Sequence, residues 1–179
     1  DRVIQLKEKL IEEKKFQKKA LMQQLFSGKK RVSGFSGEWK IIKLKKLLKE
    51  RKTYSQKGLD YPHATLSIDG IYAKTERYDR EHLVKPEDKE YKHTHKGDIC
   101  YNPANLKFGV TCVNTFGDAI FSPIYVTFDV QKGVDLGFLS NDMMRWDFIN
   151  AVRKYEEGTV YERMAVKPED FLKFEIKLP

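Results

Sequence analysis

Residues 1–31 read DRVIQLKEKLIEEKKFQKKALMQQLFSGKKR, and this stretch decides how the chain is organised. Its first 26 residues contain neither proline nor glycine and are rich in Lys, Glu, Gln and Leu, which are good helix formers. Gly28 then provides a natural helix stop. The stretch therefore predicts a single long helix that ends at Phe26, followed by a separate folded region.

One side of this helix is apolar. Its apolar residues recur at intervals of three, four or five, as one face of a helix requires: Val3, Leu6, Leu10, Ile11, Phe16, Ala20, Leu21 and Leu25. At about 1.5 Å per residue the helix is nearly 40 Å long, which is too long for a domain of roughly 150 residues to cover. We expect part of it to project and to pair with another helix in coiled-coil fashion, within one chain or between two. The expected pairing residues are Leu6, Leu10, Leu21 and Leu25, and Phe26 is expected to pack against the domain. The alternative is a helix that lies along its own domain.

The rest of the chain predicts one compact domain that opens with Glu38-Trp39-Lys40. The expected division is a spacer or dimerisation helix over residues 1–30 and a domain over 31–179. The expected elements are a short helical segment over 44–48, a hairpin around Asp69-Gly70, strands over 98–101, 108–114 and 120–129, a helix over 141–155, a short helix after Lys167-Pro168, and a closing strand over 174–176. Short strands interleaved with a few helices indicate an α+β fold with a curled mixed β-sheet.

Composition narrows the class of protein. The 179 residues leave room for one domain with a proper core plus the helical arm. Cys100 and Cys112 lie in apolar strand-like runs, so we expect reduced core thiols rather than a disulfide or metal framework. No signal-peptide pattern and no apolar run near 18 residues is present, which favours a cytoplasmic protein without a membrane segment. The first residue, Asp1, and the closing Leu178-Pro179 suggest a fragment of a longer chain.

The net charge of +8 is concentrated in the first third of the chain. Residues 1–31 carry ten Lys/Arg against four Asp/Glu, and residues 38–57 carry eight against two. Such a concentration favours a phosphate backbone or an acidic protein as partner. On the arm the lysines are expected to be a solvated helix face. The run from Lys49 to Lys57 mixes cations with Tyr54, and there we expect contact with DNA or RNA.

No residue pattern favours catalysis. Asn102-Pro103-Ala104-Asn105 lacks the second proline and the aromatic residue of an adenine methyltransferase loop, and no Gly-rich loop follows a strand. No nucleophile lies at a spacing from a base that indicates an active site. His93 and His95 could ligate a metal, but without a nearby third ligand they are expected to be solvated in a lysine-rich loop. We therefore expect no enzyme activity and no metal site.

Several motifs in order along the chain resemble the specificity subunits of type I restriction-modification systems. They are Lys18–Gly28 at the helix end, Glu38-Trp39-Lys40 with Leu44 after it, Lys96–Pro103, Ser122–Val126, Gly158-Thr159-Val160 and Ile176–Pro179. Each motif is modest alone. Together they span nearly the whole chain, and the domain is then identified as a target recognition domain.

The resemblance implies a subunit that reads double-stranded DNA without modifying it. Such subunits carry two target recognition domains, each reading half of a bipartite site, held apart by two helices in an antiparallel coiled coil. Methyltransferase subunits dock on those helices and perform DNA methylation with S-adenosylmethionine, and a restriction/translocase subunit joins the complex. ATP and Mg are then expected on partner subunits, and no cofactor on this chain. With one helix and one domain, the chain is expected to be either the second half of such a subunit or a half-subunit that forms a homodimer through its helix.

The expected DNA contacts follow from which side chains reach phosphates and which reach base edges. Phosphate contacts are expected from Arg51, Lys52, Lys57, Lys74 and Lys107. Base readout is expected from His63, Arg77, Tyr78 and Lys92, with Tyr54 as the aromatic within the basic run. For Arg77 the alternative is an ion network with its acidic neighbours Glu76, Asp79 and Glu81. Tyr101 is expected in the core and Asn102 in a turn.

Two other functions fit the same sequence. One is a non-specific nucleic-acid-binding module, and the other is a protein-interaction adaptor whose basic arm binds an acidic surface.

Overall fold

The computed structural model describes residues 1–56, 60–74, 90–155 and 165–179. The helices are α1 (Arg2–Phe26), α2 (Leu136–Met143), α3 (Trp146–Arg153) and α4 (Pro168–Phe171), with short 3-10 helices at Leu44–Lys46 and Leu106–Phe108. The strands are β1 (Lys40–Lys43), β2 (Leu48–Glu50), β3 (Tyr54–Gln56), β4 (Ala64–Ser67), β5 (Gly70–Ala73), β6 (Glu90–Thr94), β7 (Ile99–Tyr101), β8 (Thr111–Val113), β9 (Ala119–Phe121), β10 (Val126–Val130) and β11 (Glu175–Leu178). The motif at residues 158–160 lies outside the described residues.

The described chain divides into two compact units, which are Asp1–Ile41 with Lys177–Pro179, and Ile42–Ile176. The first unit contains the helix that the sequence predicts. Asp1 caps α1, since its Oδ1 accepts from the Val3 amide at 3.1 Å. The helix ends at Phe26, and Gly28 follows in the left-handed region at φ 73°, so the predicted helix and its stop are confirmed.

No residue of α1 is buried, and its apolar stripe is open. Leu6 and Leu10 are 58% and 53% exposed, Leu21 is also exposed, and Leu25 and Phe26 are half-buried. An exposed stripe of this kind is what helix pairing requires. The pairing role of these leucines stays a prediction.

After α1 the chain folds back on the helix end within the first unit. The Arg31 guanidinium lies 4.8 Å from the Trp39 ring centroid and donates to the Gly37 carbonyl at 2.6 Å. A Cβ on Gly28 would meet the Trp39 ring at 3.6 Å. The family motifs at the helix end and at Glu38-Trp39-Lys40 are therefore in contact.

The second unit confirms the α+β class but distributes its strands among small sheets. Among the described residues the sheets have the strand orders β2-β10-β7-β8, β3-β6-β9 and β4-β5, and β1 pairs with β11. The neighbours in the first three sheets are antiparallel. The predicted α+β fold is thus confirmed, and the described strands lie in several small sheets.

Three predicted elements are divided in the structure. The strand expected over 120–129 is β9 and β10 in different sheets, separated by a turn in which the Tyr125 amide donates to the Ser122 carbonyl at 3.0 Å. Pro123 has no N–H to continue a ladder, which explains the break. The helix expected over 141–155 is α2 and α3, and the strand expected over 108–114 is β8, preceded by a 3-10 helix.

Other predicted elements are confirmed with small shifts. The hairpin is β4 and β5, with Ile68 and Asp69 in the turn and Gly70 as the first residue of β5 at φ 129°. α4 begins at Pro168, and β11 closes the chain. Within the segment expected to be helical, Leu44–Lys46 forms a 3-10 turn and Leu48 begins β2.

One part of the core is an aromatic stack. The Tyr101, Phe128 and Phe171 rings are stacked with centroids 4.7 to 5.9 Å apart. Tyr101 is fully buried and its hydroxyl donates to the Val166 carbonyl at 3.0 Å, which confirms its predicted place in the core. The predicted turn is also confirmed, because the Ala104 amide donates to Asn102 Oδ1 at 3.1 Å.

The second part of the core is formed mainly by side chains of β4, β7 and β9. Its buried members are Ala64, Leu66, Cys100, Val110, Ala119 and Phe121. Cys100 and Cys112 lie opposite each other on β7 and β8 and are free thiols, as predicted. Burial raises the pKa of the Cys112 thiol to about 12, and that of Cys100 is also well above its ordinary value. Both thiols therefore stay protonated.

Within the described part of the chain, no helix combines the length and the apolar character that crossing a membrane requires.

Candidate nucleic-acid interface

The basic run that begins at Lys49 connects two sheets. β2 ends at Glu50 in the four-stranded sheet, and β3 begins at Tyr54 in the three-stranded sheet. The connecting residues lie at the surface, with the Lys52 side chain 68% exposed and Tyr54 46% exposed. A cation and an aromatic ring thus stand exposed two residues apart, an arrangement that suits contact with a phosphate and a base or sugar.

Arg51, directly before Lys52, is held inward by an ion pair with Asp98. Its Nε and Nη2 each donate to a carboxylate oxygen of Asp98 at 2.9 Å, and Asp129 lies 3.4 Å away. Asp98 is only 2% exposed and also accepts from the His95 amide at 2.8 Å. The hydrogen bonds that Arg51 donates to the Asp98 carboxylate raise the pKa of Arg51, and partial burial opposes this shift. Arg51 therefore ties the basic connection to the turn after β6, and its phosphate contact stays a prediction.

Lys92 occupies a different environment from the one expected for a base reader. It is 3% exposed, and its amine donates to the Arg51 carbonyl at 3.2 Å and to the Tyr54 hydroxyl at 3.1 Å. The amine also lies 4.6 Å from the centroid of the Tyr54 ring and 3.9 Å from Glu50. Strand register explains this, because Lys92 is opposite both Tyr54 and Phe121 and so faces the core side of the sheet. With its amine enclosed, Lys92 positions Tyr54, and direct readout of a base would require the amine to leave these partners.

The opposite face of the three-stranded sheet carries an aromatic cluster that we call the histidine face: Tyr61, His63, Tyr91, His93 and His95. Tyr61 stacks on His93 with ring centroids 4.0 Å apart, His63 meets Tyr91 edge-on at 4.8 Å, and His93 and His95 are 4.2 Å apart. His63 also bridges to Ile120 of β9. His63, expected to read bases, is thus half-buried on this face.

The two histidines of β6 and its continuation differ from the expectation of solvated loop residues. His93 is 7% exposed, while His95 is partly exposed and its Nδ1 lies 3.1 Å from Asp118 Oδ1. The expectation of no third ligand nearby is wrong, because Asp118 supplies one. Burial, and then the neighbouring His95, lower the pKa of His93, so its imidazole is neutral near pH 7.

The remaining predicted contact residues lie on other elements or outside the described part. Lys74 follows β5, is half-buried, and its amide donates to the His63 carbonyl at 2.8 Å. Lys107 lies on the 3-10 helix Leu106–Phe108, with its amine 5.4 Å from the Phe108 ring centroid. Lys57, Arg77 and Tyr78 lie outside the described residues.

Sequence reasoning missed the cluster as a unit. Tyr91, His93 and His95 alternate along the chain, and alternation on a strand puts side chains on one face. This alternation could have predicted that the three side chains lie together. Tyr61 and Asp118 carried no signal of their own, since their places follow from packing and from the pairing of β6 with β9.

No family model and no curated protein matches the chain. Among solved structures it is similar to the HsdS subunit from Thermoanaerobacter tengcongensis, with a TM-score of 0.55 and 14% sequence identity. The similarity covers 98% of this chain and 42% of that one, so this chain spans less than half of the neighbour's length. HsdS is the type I restriction specificity subunit, and the fold that the sequence motifs implied is therefore confirmed.

Proposed function

We propose that this chain is a DNA-recognition module of a type I restriction-modification system, either half of a specificity subunit or a half-subunit. The observation that carries the proposal is the structural similarity over 98% of the chain to an HsdS subunit. The motifs that resemble the same family are independent support, because they come from sequence alone. The module reads one half of a bipartite target and performs no catalysis itself.

The proposed DNA surface is centred on the connection between β2 and β3. Lys52 contacts a phosphate and Tyr54 contacts a base or sugar, while Lys92 and Arg51 hold this connection in place from beneath. Cations that lie on phosphates set register and orientation without reading sequence. Further phosphate contacts are assigned to Lys57, Lys74 and Lys107. Arg51 would contribute an N–H group that is not hydrogen-bonded to Asp98.

Base readout is proposed for Arg77, Tyr78 and His63. Arg77 and Tyr78 follow β5, and His63 precedes β4 on the chain. An arginine can donate two parallel hydrogen bonds to guanine, which makes Arg77 the strongest candidate for sequence discrimination. Substituting a residue that reads bases changes the preferred DNA sequence, whereas substituting a residue that contacts phosphates weakens binding to all sequences alike.

The long helix is the proposed site of assembly. Its exposed stripe of Leu6, Leu10, Leu21 and Leu25 would pair with a second helix, either from the other half of a full-length subunit or from a copy of this chain. The methyltransferase subunit would dock on the paired helices, and the restriction/translocase subunit would join through the complex. S-adenosylmethionine, ATP and Mg would be held by those partners in the cytoplasm.

The test is a selection from randomised duplexes at about 0.15 M salt, where non-specific phosphate binding is weakened. The chain is used with the methyltransferase subunit encoded beside it. Enrichment of a short half-site, or of two copies at a fixed spacing, is the expected result. Binding without enrichment would indicate a non-specific nucleic-acid module, and absence of binding with the partner present would favour the protein-interaction adaptor.

A matched pair of variants sharpens this test. Lys52→Ala removes an exposed cation of the proposed surface, and Lys45→Ala removes an exposed cation on the 3-10 helix Leu44–Lys46. We expect Lys52→Ala to weaken binding to all duplexes and Lys45→Ala to have little effect on binding. Equal losses would show that binding follows total charge rather than this surface.

A further inference from the structure

We propose that His93, His95 and Asp118 form a binding site for a divalent transition-metal ion, with Zn²⁺ the best chemical fit. The site lies on the histidine face of the three-stranded sheet. It is independent of the DNA-recognition function, because it rests on the geometry of these three side chains alone.

The pairing of β6 with β9 creates the site. These strands are antiparallel with His93 opposite Ile120 and Thr94 opposite Ala119, so the next step along the register places His95 opposite Asp118. His93 and His95 are two residues apart on an extended chain and therefore share a face. One ligand atom from each of the three residues lies within 4.8 Å of the others.

A small adjustment brings this cluster to coordination distance. Zn²⁺ binds imidazole nitrogen and carboxylate oxygen at about 2.0 to 2.2 Å, which puts ligand atoms roughly 3.3 Å apart in a tetrahedral site. His95 Nδ1 and Asp118 Oδ1 are already 3.1 Å apart. The His95 and Asp118 side chains are 38% and 52% exposed, so both have room to rotate toward a common ion.

His93 carries a buried ring nitrogen without a hydrogen-bond partner. Its Nε2 is buried and has no hydrogen-bond partner, although the residue is only 7% exposed. Native structures rarely leave a buried polar atom in this state, and an unseen ion is one of the accepted explanations. The ring is held by stacking on Tyr61, so the atom is fixed in place rather than free to turn to solvent.

The surroundings of the cluster agree with a metal site. The nearby positive charge of Arg51 is balanced by the Asp98 carboxylate, with which it forms an ion pair. Asp98 also holds the His95 backbone by accepting from its amide at 2.8 Å, an outer contact that orients this ligand.

The donor set selects the class of metal. Two imidazoles and one carboxylate suit Zn²⁺ and neighbouring transition metals, whereas Mg²⁺ and Ca²⁺ prefer all-oxygen sites. Three protein ligands leave a fourth position for water or another oxygen donor. Because the His95 and Asp118 side chains are both partly exposed, water can reach the site to fill that position.

The test is metal binding by the full chain, first stripped with chelator and shown to be folded. Zn²⁺ titration by calorimetry is expected to give one site per chain, and Co²⁺ is expected to give the visible absorption of a low-coordinate nitrogen and oxygen site. Failure of the folded wild type to bind stoichiometric Zn²⁺, or a Co²⁺ spectrum with thiolate charge-transfer bands, would overturn the proposal.

Variants distinguish this site from adventitious histidine binding. Asp118→Asn keeps a hydrogen-bond partner for His95 but removes the carboxylate, and His95→Gln removes an exposed ligand with little risk to folding. Each should weaken Zn²⁺ binding by at least about tenfold, the lower range seen when a metal site loses a supporting group. His63→Gln, on the same face but outside the cluster, should bind like wild type. Unchanged affinity in the first two variants, or an equal loss in His63→Gln, would refute the assignment.

Discussion

Replacing Arg51 by alanine should destabilise the domain strongly, even though the residue lies in a surface connection. The substitution removes both N–H donors that Arg51 presents to Asp98 at 2.9 Å. Asp98 is only 2% exposed, so its carboxylate would stay buried without the arginine as ion-pair partner. Removing one partner of a buried ion pair costs far more than the pair itself contributes, because the remaining charge stays desolvated.

The size of the expected loss in unfolding free energy depends on the hydrogen bonds that Asp98 retains. Loss of a buried partner typically costs about 3–5 kcal/mol. Asp98 retains hydrogen bonds from the His95 amide at 2.8 Å and the Thr94 hydroxyl at 3.3 Å, and the Arg51 side chain is 22% exposed. These contacts place the expected loss at the lower end, about 3 kcal/mol. A domain with a stability of about 5–15 kcal/mol would remain folded in buffer.

The measurement is equilibrium urea unfolding followed by circular dichroism. With a urea dependence of about 2 kcal/mol per molar, a loss of about 3 kcal/mol lowers the midpoint by roughly 1.5 M. Lys52→Ala is the matched control. Lys52 forms an ion pair with Glu50 at 3.3 Å, and the lysine side chain is exposed. Such a pair contributes at most about 1 kcal/mol to the free energy of unfolding.

A double-mutant cycle separates the ion pair from other effects of the substitution. Asp98→Asn alone should also destabilise, and the Arg51→Ala, Asp98→Asn double variant should lose much less than the two single losses combined. Additive losses, or an Arg51→Ala loss below about 1 kcal/mol, would refute the conclusion that a buried ion pair anchors this connection.

Three further predictions concern DNA binding, assembly and pH. Lys52→Ala should weaken every duplex alike and reduce the slope of log affinity against log salt by about one, measured by fluorescence anisotropy; a sequence-dependent loss would mean that Lys52 reads bases. Leu10→Asp with Leu21→Asp should reduce the mass in light scattering to that of the 21.0 kDa chain without changing the unfolding midpoint of the domain; an unchanged associated mass would exclude pairing through this stripe. Burial raises the pKa of the Asp142 carboxyl to about 6, above its unfolded value of about 3.9, so its contribution to stability is largest below pH 4 and is lost as pH rises to 6. Wild-type stability should therefore fall by about 2–3 kcal/mol relative to Asp142→Asn across that range, and parallel pH profiles of the two proteins would contradict the raised pKa.

The sequence alone predicted the features that depend on neighbouring residues. The long helix and its end at Gly28 follow from composition, periodicity and one glycine, which act within a few residues of each other. The hairpin of β4 and β5, the turn at Asn102-Pro103 and the start of α4 at Pro168 follow from turn and cap chemistry in the same way. The order of family motifs also reached the correct fold, because such landmarks are read along the chain without knowledge of their packing.

Only the tertiary structure decided the arrangements that depend on pairing between distant segments. Arg51 and Asp98 are 47 residues apart, and His95 and Asp118 are 23 apart, so neither pair has a local signal. Register on β6 decides that Lys92 faces the core and His93 the opposite side, since a shift of one residue would exchange them. The physical reason is that a charge pattern shows which residues prefer water, whereas burial and ion pairing are settled by which strands meet and in what register.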